Sequence, residues 1–451
     1  MSTLNREQKE AVGLLSIGTF LEYFDLMLYV HMAVLLNELF FPKTDPHIAS
    51  LLTAFAFCST YLLRPFGALI FGWIGDNIGR KTTVVITTAM MSLSCVVMAN
   101  LPTFAQIGMT AAWLVTICRI VQGMTSMGEI TGAQLYLTES LKPPGRYTSV
   151  AMMNFCAATG TFAALGVAFL VTSYSLNWRL AFWFGAGVAL VGMIARTTLR
   201  ETPEFADAKR RLSRTLEQFK DNGSIDTKQL EYNEIYIKEK TNLKTIICLL
   251  LVDCMWPVMF YFAYIHCANV LKHSFSYTAE QIIHNNFIIS SVQVVSVFLV
   301  VYLSNKIYPL TILRVKLVLS SITLLATPFL LIHAKTGFDV LIVQSLILFF
   351  ACDASPANAI FFKYFPVFKR FTYTSVIYAI SRALVYLITS ISLIYLTDYF
   401  NHYGMLVITV PVFIGFAIGL SHFFKLEKEA GNFPEKKIMG NDLLSDASEV
   451  S

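Results

Sequence analysis

Gly72-Trp73-Ile74-Gly75-Asp76-Asn77-Ile78-Gly79-Arg80-Lys81 is the stretch on which the reading of this chain turns. It joins two apolar runs, 49–75 and 82–101. Glycine permits a tight turn and the close approach of a second helix, while an acid and two bases at a membrane boundary cap helix ends or form ion pairs. A connection that only reversed the chain would need none of these charges. The run predicts a tight loop at one side of a bilayer whose charges cap helix ends or form ion pairs.

The rest of the chain supplies the bilayer. Of 451 residues, 55% are hydrophobic and only 14% charged, where a soluble chain carries about a quarter. The apolar residues gather into twelve runs, 11–40, 49–75, 82–101, 107–139, 147–172, 178–199, 244–271, 282–304, 311–332, 338–364, 371–397 and 403–424. About 20 apolar residues span a membrane as a helix. Strands of a β-barrel would alternate polar and apolar residues, so that architecture is excluded. The net charge of +5 is too mild and dispersed for a nucleic-acid binder.

Lys and Arg outside the spans set the orientation. With the N-terminus inside, 26 of the 34 bases fall on the cytoplasmic side, counting Lys244, Arg314, Lys316 and Lys363 near the cytoplasmic ends of their runs with the adjoining loops, and 4 fall opposite. Both termini are expected to be cytoplasmic. A cleavable signal peptide is not expected, because Arg6 and Lys9 alternate with Glu7 and Glu10 ahead of a long first run. All eight cysteines fall inside the apolar runs without metal-ligand spacing, so neither a disulfide nor a metal site is predicted.

One hydrophilic stretch divides the chain. It gives a first bundle of six helices over 1–199, a cytoplasmic linker over 200–243 with a short surface helix at 206–220, a second bundle over 244–425 and a mobile cytoplasmic tail over 426–451. Six spans followed by six is the arrangement of transporters built from two parallel halves.

Within the spans, charges are costly and normally face a cavity or a partner. Glu22, Asp25 and Tyr29 share one face of the first helix. Arg119, Gln122, Ser126 and Glu129 form one polar stripe along the fourth, and Gly128 and Gly132 let another helix approach. Arg64, Asp253, Asp353 and Arg382 complete the set of candidate substrate- or proton-binding residues. Clustered carboxylates in low dielectric raise one another's pKa, as a proton-coupling site requires. Ion pairs that only fix helix register remain an open reading of the same residues. His31, His266 and the abundant aromatic residues read as packing, with a cation–π cage of Trp256, Tyr261 and Tyr264 for a quaternary ammonium as the alternative. No P-loop, metal cluster or nucleophile constellation is present in the sequence, which argues against an enzyme or an ATP-driven pump.

The run at 72–81 resembles the G-x-x-x-D-x-x-G-R-K signature of the major facilitator superfamily, in which this loop locks the outward-facing state. The resemblance implies a cytoplasmic gate made of Gly72, Asp76, Gly79, Arg80, Lys81 and Glu139, with Asp76 facing the start of a second-half helix and Arg80 paired with Glu139. Gly18 to Tyr29, Arg64-Pro65-Phe66-Gly67 and Arg119 to Ala133 look like the metabolite:proton symporter branch, nearest to its proline/betaine transporters. The likeness continues through Trp178-Arg179 and Arg200-Glu201-Thr202-Pro203, and returns at Phe365-Pro366 through Thr374. Thr19, Tyr23 and Met127 depart from the branch's usual Asn, Trp and Gly; a Met at 127 either narrows the central cavity or fills a helix contact. The loop Ser304 to Pro309 lacks the charged repeat usual in the second half, so its gate is expected to be weaker or differently built.

The expectation is an all-α protein of the major facilitator fold in a bacterial cytoplasmic membrane. It would be a monomer without cofactors that moves a small zwitterionic or anionic metabolite with protons by alternating access. A nontransporting solute receptor on the same fold is the alternative.

Overall fold

The computed structural model describes residues 5–41, 61–174, 177–197, 199–222 and 241–433. A helix stands at each of the twelve expected spans: α1 (Arg6–Phe40), α2 (Arg64–Asn77), α3 (Arg80–Asn100), α4 (Met109–Ser140), α5 (Gly145–Ser173), α6 (Arg179–Arg196), α7 (Leu243–Ser274), α8 (Ala279–Ser304), α9 (Pro309–Ile332), α10 (Gly337–Phe349), α11 (Val367–Phe400) and α12 (Gly404–Glu429). The first part of the run 49–75, the second part of the linker and residues 434–451 lie outside the described residues. Large apolar side chains such as Leu69, Trp73, Leu93, Trp113, Phe298 and Ile322 point outward from the bundle. This is the surface that acyl chains cover in a multi-pass membrane protein.

Two helices are interrupted where a continuous run was expected. In α7 the α-helical turns stop at Asp253 and resume at Met255. Pro257 has no N–H to offer the Asp253 carbonyl, and its ring crowds that oxygen. A π-helical turn follows at Tyr261–His266, and Gln344 Nε2 donates to the Ala263 carbonyl inside it at 2.7 Å. In α10 the regular helix ends at Phe349, short of the expected 364, and the chain continues through short helical turns from Ser355 to Tyr364. The carbonyls freed there are taken up by serines of the adjacent helices: Ser296 Oγ donates to Phe349 and Ser320 Oγ to Phe350, each at 2.5 Å. Backbone polar groups inside a bilayer need such partners.

In the first half α1 packs along α5, and α3 lies against α4 and α6; in the second, α7 and α9 pack on α12, and α8 and α9 on α10. The halves meet where α2 runs along α11 and α5 along α8. Adding six to each helix number carries one of these contacts onto the other, as two parallel repeats require. The linker forms a helix, Pro203–Asn222, that packs on α4 and α11. The last helix passes the expected boundary at 425 and reaches Glu429.

The contact between α2 and α11 depends on glycine. A Cβ at Gly72 would come within 2.7 Å of Thr372 Cα, and one at Gly75 would enter the Phe371 ring. Gly72→Leu should therefore force the halves apart at a cost of about 1–3 kcal/mol. Gly187→Leu meets nothing within 4 Å and should leave the protein unchanged. Thermal unfolding of the purified variants checks this: equal melting temperatures would mean the close approach is not needed.

Candidate functional site

Between the halves lies a cavity lined by Arg64, Lys316, Arg382, Asp253 and Asp353 among polar and aromatic neighbours. Both acids sit where a helix is broken, Asp253 at the Pro257 interruption of α7 and Asp353 in the irregular stretch after α10. Asn154 of α5 donates from Nδ2 to Asp353 and, at 2.8 Å, to Ser355 Oγ, which ties α5 to the second half. The Arg64 guanidinium stacks on the Tyr61 ring, 4.2 Å from its centroid, and its Nε and Nη2 find no hydrogen-bond partner among the described residues. Arg382 lies 3.2 Å over the Tyr378 ring and donates to Ser381 Oγ at 3.2 Å. Two aromatic pairs cross the cavity between halves: the hydroxyls of Tyr23 and Tyr378 are 3.2 Å apart, and the Tyr61 and Tyr386 rings are 4.3 Å apart.

Lys316 belongs to this site although orientation counting groups it with cytoplasmic loop bases. It sits about two turns inside α9, and its place in an apolar helix was the available signal. The alternative of an aromatic cage is not assembled, and Tyr261 and Tyr264 are buried as the packing reading expects. Trp256 lines the cavity, whereas Tyr264 is buried in the second half and donates to Gln293 at 2.8 Å, and Tyr261 is buried outside the lining.

The polar faces of α1 and α4 are buried apart from the cavity lining. Arg119 stacks on the Tyr29 ring at 3.9 Å and donates from Nη1 to Gln122 Oε1 at 3.0 Å. Glu22, Asp25, Tyr29, Arg119 and Gln122 are all buried without lining the cavity; Ile130 and Gln134 are the residues of α4 that do. The Glu129 side chain lies outside the described residues. Met127 fills a helix contact, fully buried against Ala68 of α2 and Ala379 of α11.

The cytoplasmic ends are joined by one buried network. The two Asp76 carboxylate oxygens accept the backbone N–H groups of Phe371 at 3.1 Å and Thr372 at 2.8 Å, near the start of α11. Arg80 is fully buried and holds Glu139 with two hydrogen bonds, Nε to Oε2 at 3.2 Å and Nη2 to Oε1 at 3.1 Å. It also pairs with Asp76 at 3.3 Å and donates to the Val367 carbonyl of α11 at 2.7 Å. Glu139 takes two more donors, Arg370 Nη1 of α11 at 3.1 Å and Thr202 Oγ1 at 2.8 Å. The linker helix closes the arrangement, with Glu204 accepting from Arg370 at 3.0 Å and the Phe205 ring 4.3 Å beneath Arg80. Gly79 stands at φ +154°, where an added Cβ would strike the Glu201 carboxylate, and that carboxylate accepts the Arg80 N–H at 3.0 Å. Lys81 is half-buried and stays outside the network. Glu201, Thr202 and Arg370 lie in stretches quoted for their likeness without a role in this network, and Glu204 lies outside them.

Residues 15–385 match the family model described as Major Facilitator Superfamily. The proline/betaine transporter of Salmonella typhimurium (strain LT2) is 28% identical over 297 residues, 64% of this chain and 57% of that protein. The chain thus spans little more than half the length of that relative. The inner membrane metabolite transport protein YhjE of Escherichia coli (strain K12) is 37% identical over 212 residues, 45% of this chain and 48% of its own. A solved structure of a proton:xylose symporter superposes with a TM-score of 0.74 at 13% identity, covering 93% of this chain and 95% of that one. A human organic anion transporter gives 0.63 at 14% identity, covering 94% and 100%. These two likenesses are of fold.

Asp76→Asn removes the charge that receives two amides and faces Arg80, while leaving the cavity lining intact. It should slow the return to the state closed at this end, and with it exchange, by about tenfold, with binding affinity changed less than about twofold. Equilibrium binding and exchange in proteoliposomes, measured side by side, decide the point: lost affinity at a normal exchange rate would remove Asp76 from the gate.

Proposed function

The chain belongs to the major facilitator superfamily, and from that membership we propose that it is a secondary active transporter carrying a small zwitterionic or anionic metabolite together with protons. The cavity between the halves carries the reading. Three bases and two acids line it, and one acid, Asp353, is already engaged by Asn154. Arg64 keeps guanidinium donors without partners in a buried position. A buried cation of this kind is stabilised by a carboxylate that arrives with its own lone pairs, most strongly in a two-pronged contact. The aromatic rings of Trp256, Tyr61, Tyr378 and Tyr386 around it suit the apolar or cationic body of a zwitterion. Relatives named for proline and betaine point to the same class of cargo.

Alternating access follows from the two ends. The network at Asp76, Arg80, Glu139 and Arg370 holds the cytoplasmic side closed and must be broken for release inward. A proton taken up in the cavity neutralises one acid and changes the balance of charge that the substrate completes. Asp253 is the acid proposed for this step among the described side chains, since Asp353 is tied to Asn154.

Uptake of radiolabelled betaine, proline and 2-oxoglutarate into proteoliposomes tests the proposal. Accumulation against a gradient, abolished by a protonophore, supports symport, whereas saturable binding without accumulation would instead identify a receptor. Arg64→Gln should weaken binding of the accepted cargo by at least about tenfold. Asp253→Asn should retain exchange yet fail to concentrate substrate under a pH gradient. Full proton-driven accumulation in that variant would pass the coupling role to another acid, Glu129 first.

A further inference from the structure

The internal repeat sets up a comparison between the two cytoplasmic loops. Adding six to each helix number takes the α2–α3 loop, with Asp76 and Arg80 facing α11, onto the α8–α9 loop facing α5. That second loop, Ser304-Asn305-Lys306-Ile307-Tyr308, contains no acid. Tyr308 stands where the charges would be, and its ring meets the Tyr147 ring of α5 edge-on, with centroids 5.9 Å apart and planes at 83°. This contact crosses from one half to the other.

Tyr308 is held from behind by the end of α12. Glu427 is only 5% exposed, and each of its carboxylate oxygens accepts one phenol: Oε2 from Tyr308 and Oε1 from Tyr364 at 2.5 Å. Glu427 thus joins the start of α9, the end of the turns that follow α10 and the end of α12. In the first half, carboxylates beyond α6 reach the α2–α3 loop and α11, with Glu201 accepting the Arg80 N–H and Glu204 accepting from Arg370. The Phe433 ring closes over the site, 5.1 Å from Tyr308 and 5.4 Å from Phe424. Burial and the Glu427 charge push the Tyr308 hydroxyl well above its ordinary pKa, which keeps it a proton donor to the carboxylate.

We infer that Glu427 is a positioning residue of the cytoplasmic gate, which holds Tyr308 against Tyr147 so that the second half closes through an aromatic contact in place of the charged loop of the first. The inference rests on the alternating-access reading. A carboxylate accepting two phenols fixes both rings, whereas an amide presents N–H groups to one of them and fixes neither as well. With Tyr308 released, the closed cytoplasmic face loses one of its two repeat-related contacts, and the population shifts toward the inward-facing state.

Hydrogen–deuterium exchange of the full chain in lipid nanodiscs, without substrate, tests this. Glu427→Gln and Tyr147→Ala should each speed exchange by about tenfold at 145–150, 304–309 and 366–372, and slow it at the opposite ends, 166–174 and 268–280. A residue that merely stabilises α12 would speed exchange near 304–309 and 361–364 and leave the opposite ends unchanged, which would overturn the inference. Glu427→Asp, which keeps the charge, should restore part of the parent pattern, and no restoration would count against the carboxylate's role. Asp76→Asn serves as the reference: a reciprocal shift there but not in Glu427→Gln would refute the positioning role alone. No reciprocal shift in either variant would refute alternating access itself.

Discussion

A guanidinium removed from water must have its donors satisfied, and the Arg80 side chain imposes that constraint on the whole cytoplasmic face. Its partners come from three places: Asp76 beside it, Glu139 at the end of α4 and the Val367 carbonyl of the opposite half. Glu139 in turn needs Arg370 across the interface. Breaking a buried pair by removing one partner costs about 3–5 kcal/mol, because an uncompensated charge is left behind. The network therefore has no favourable halfway geometry. Either the helix ends meet and every group is paired, or they separate far enough for water to replace the lost partners. A contact with only two satisfied arrangements is what rocking between two access states requires.

The same rule about unsatisfied polar groups explains where the cavity's charges sit. A regular helix buries its backbone groups in its own ladder, whereas a break exposes them. Pro257 breaks α7 at Asp253, and the end of regular helix in α10 places Asp353 on irregular chain. Ser296, Ser320 and Gln344 take up the carbonyls of α10 and α7 that would otherwise be stranded. The interruptions lie against the cavity, where such backbone is tolerated, and the surrounding helices remain continuous. Arg64 lines the cavity with guanidinium donors that have no hydrogen-bond partner among the described residues. On the proposed function, a carboxylate of the cargo supplies the partner these donors lack.

The two halves meet at the α2–α3 and α8–α9 loops through different chemistry. In the first, close packing at Gly72 and Gly75 brings charges to backbone amides of α11. In the second, a loop without acids presents a tyrosine ring. The charged side confers geometric specificity through hydrogen bonds, and the aromatic side confers contact area. The difference also makes the linker and the end of α12 structural parts of the closed face, since Glu204 reaches Arg370 and Glu427 reaches Tyr308.

The sequence by itself determined that the chain crosses a bilayer repeatedly; it also led to the expectation of six spans followed by six and of a gate at residues 72–81, whose Asp76 and Arg80 do reach α11. Those conclusions need only local information, namely runs of apolar residues, the placement of bases and one dense motif. Even the pairing of Arg80 with Glu139 was legible through resemblance. Tertiary structure alone decided which way the polar faces turn. Periodicity shows that Arg119 and Gln122 share a face of α4 but not whether that face meets the cavity or the helices of its own bundle, and it meets the latter. Lys316 falls inside the apolar run 311–332, but only the structure shows that it lines the cavity between the halves. Arg370 lies 231 residues from Glu139, and Asn358 lies 224 from the Gln134 side chain to which it donates. No pattern within a single helix encodes such pairs, because their energy depends on two distant segments being packed together first.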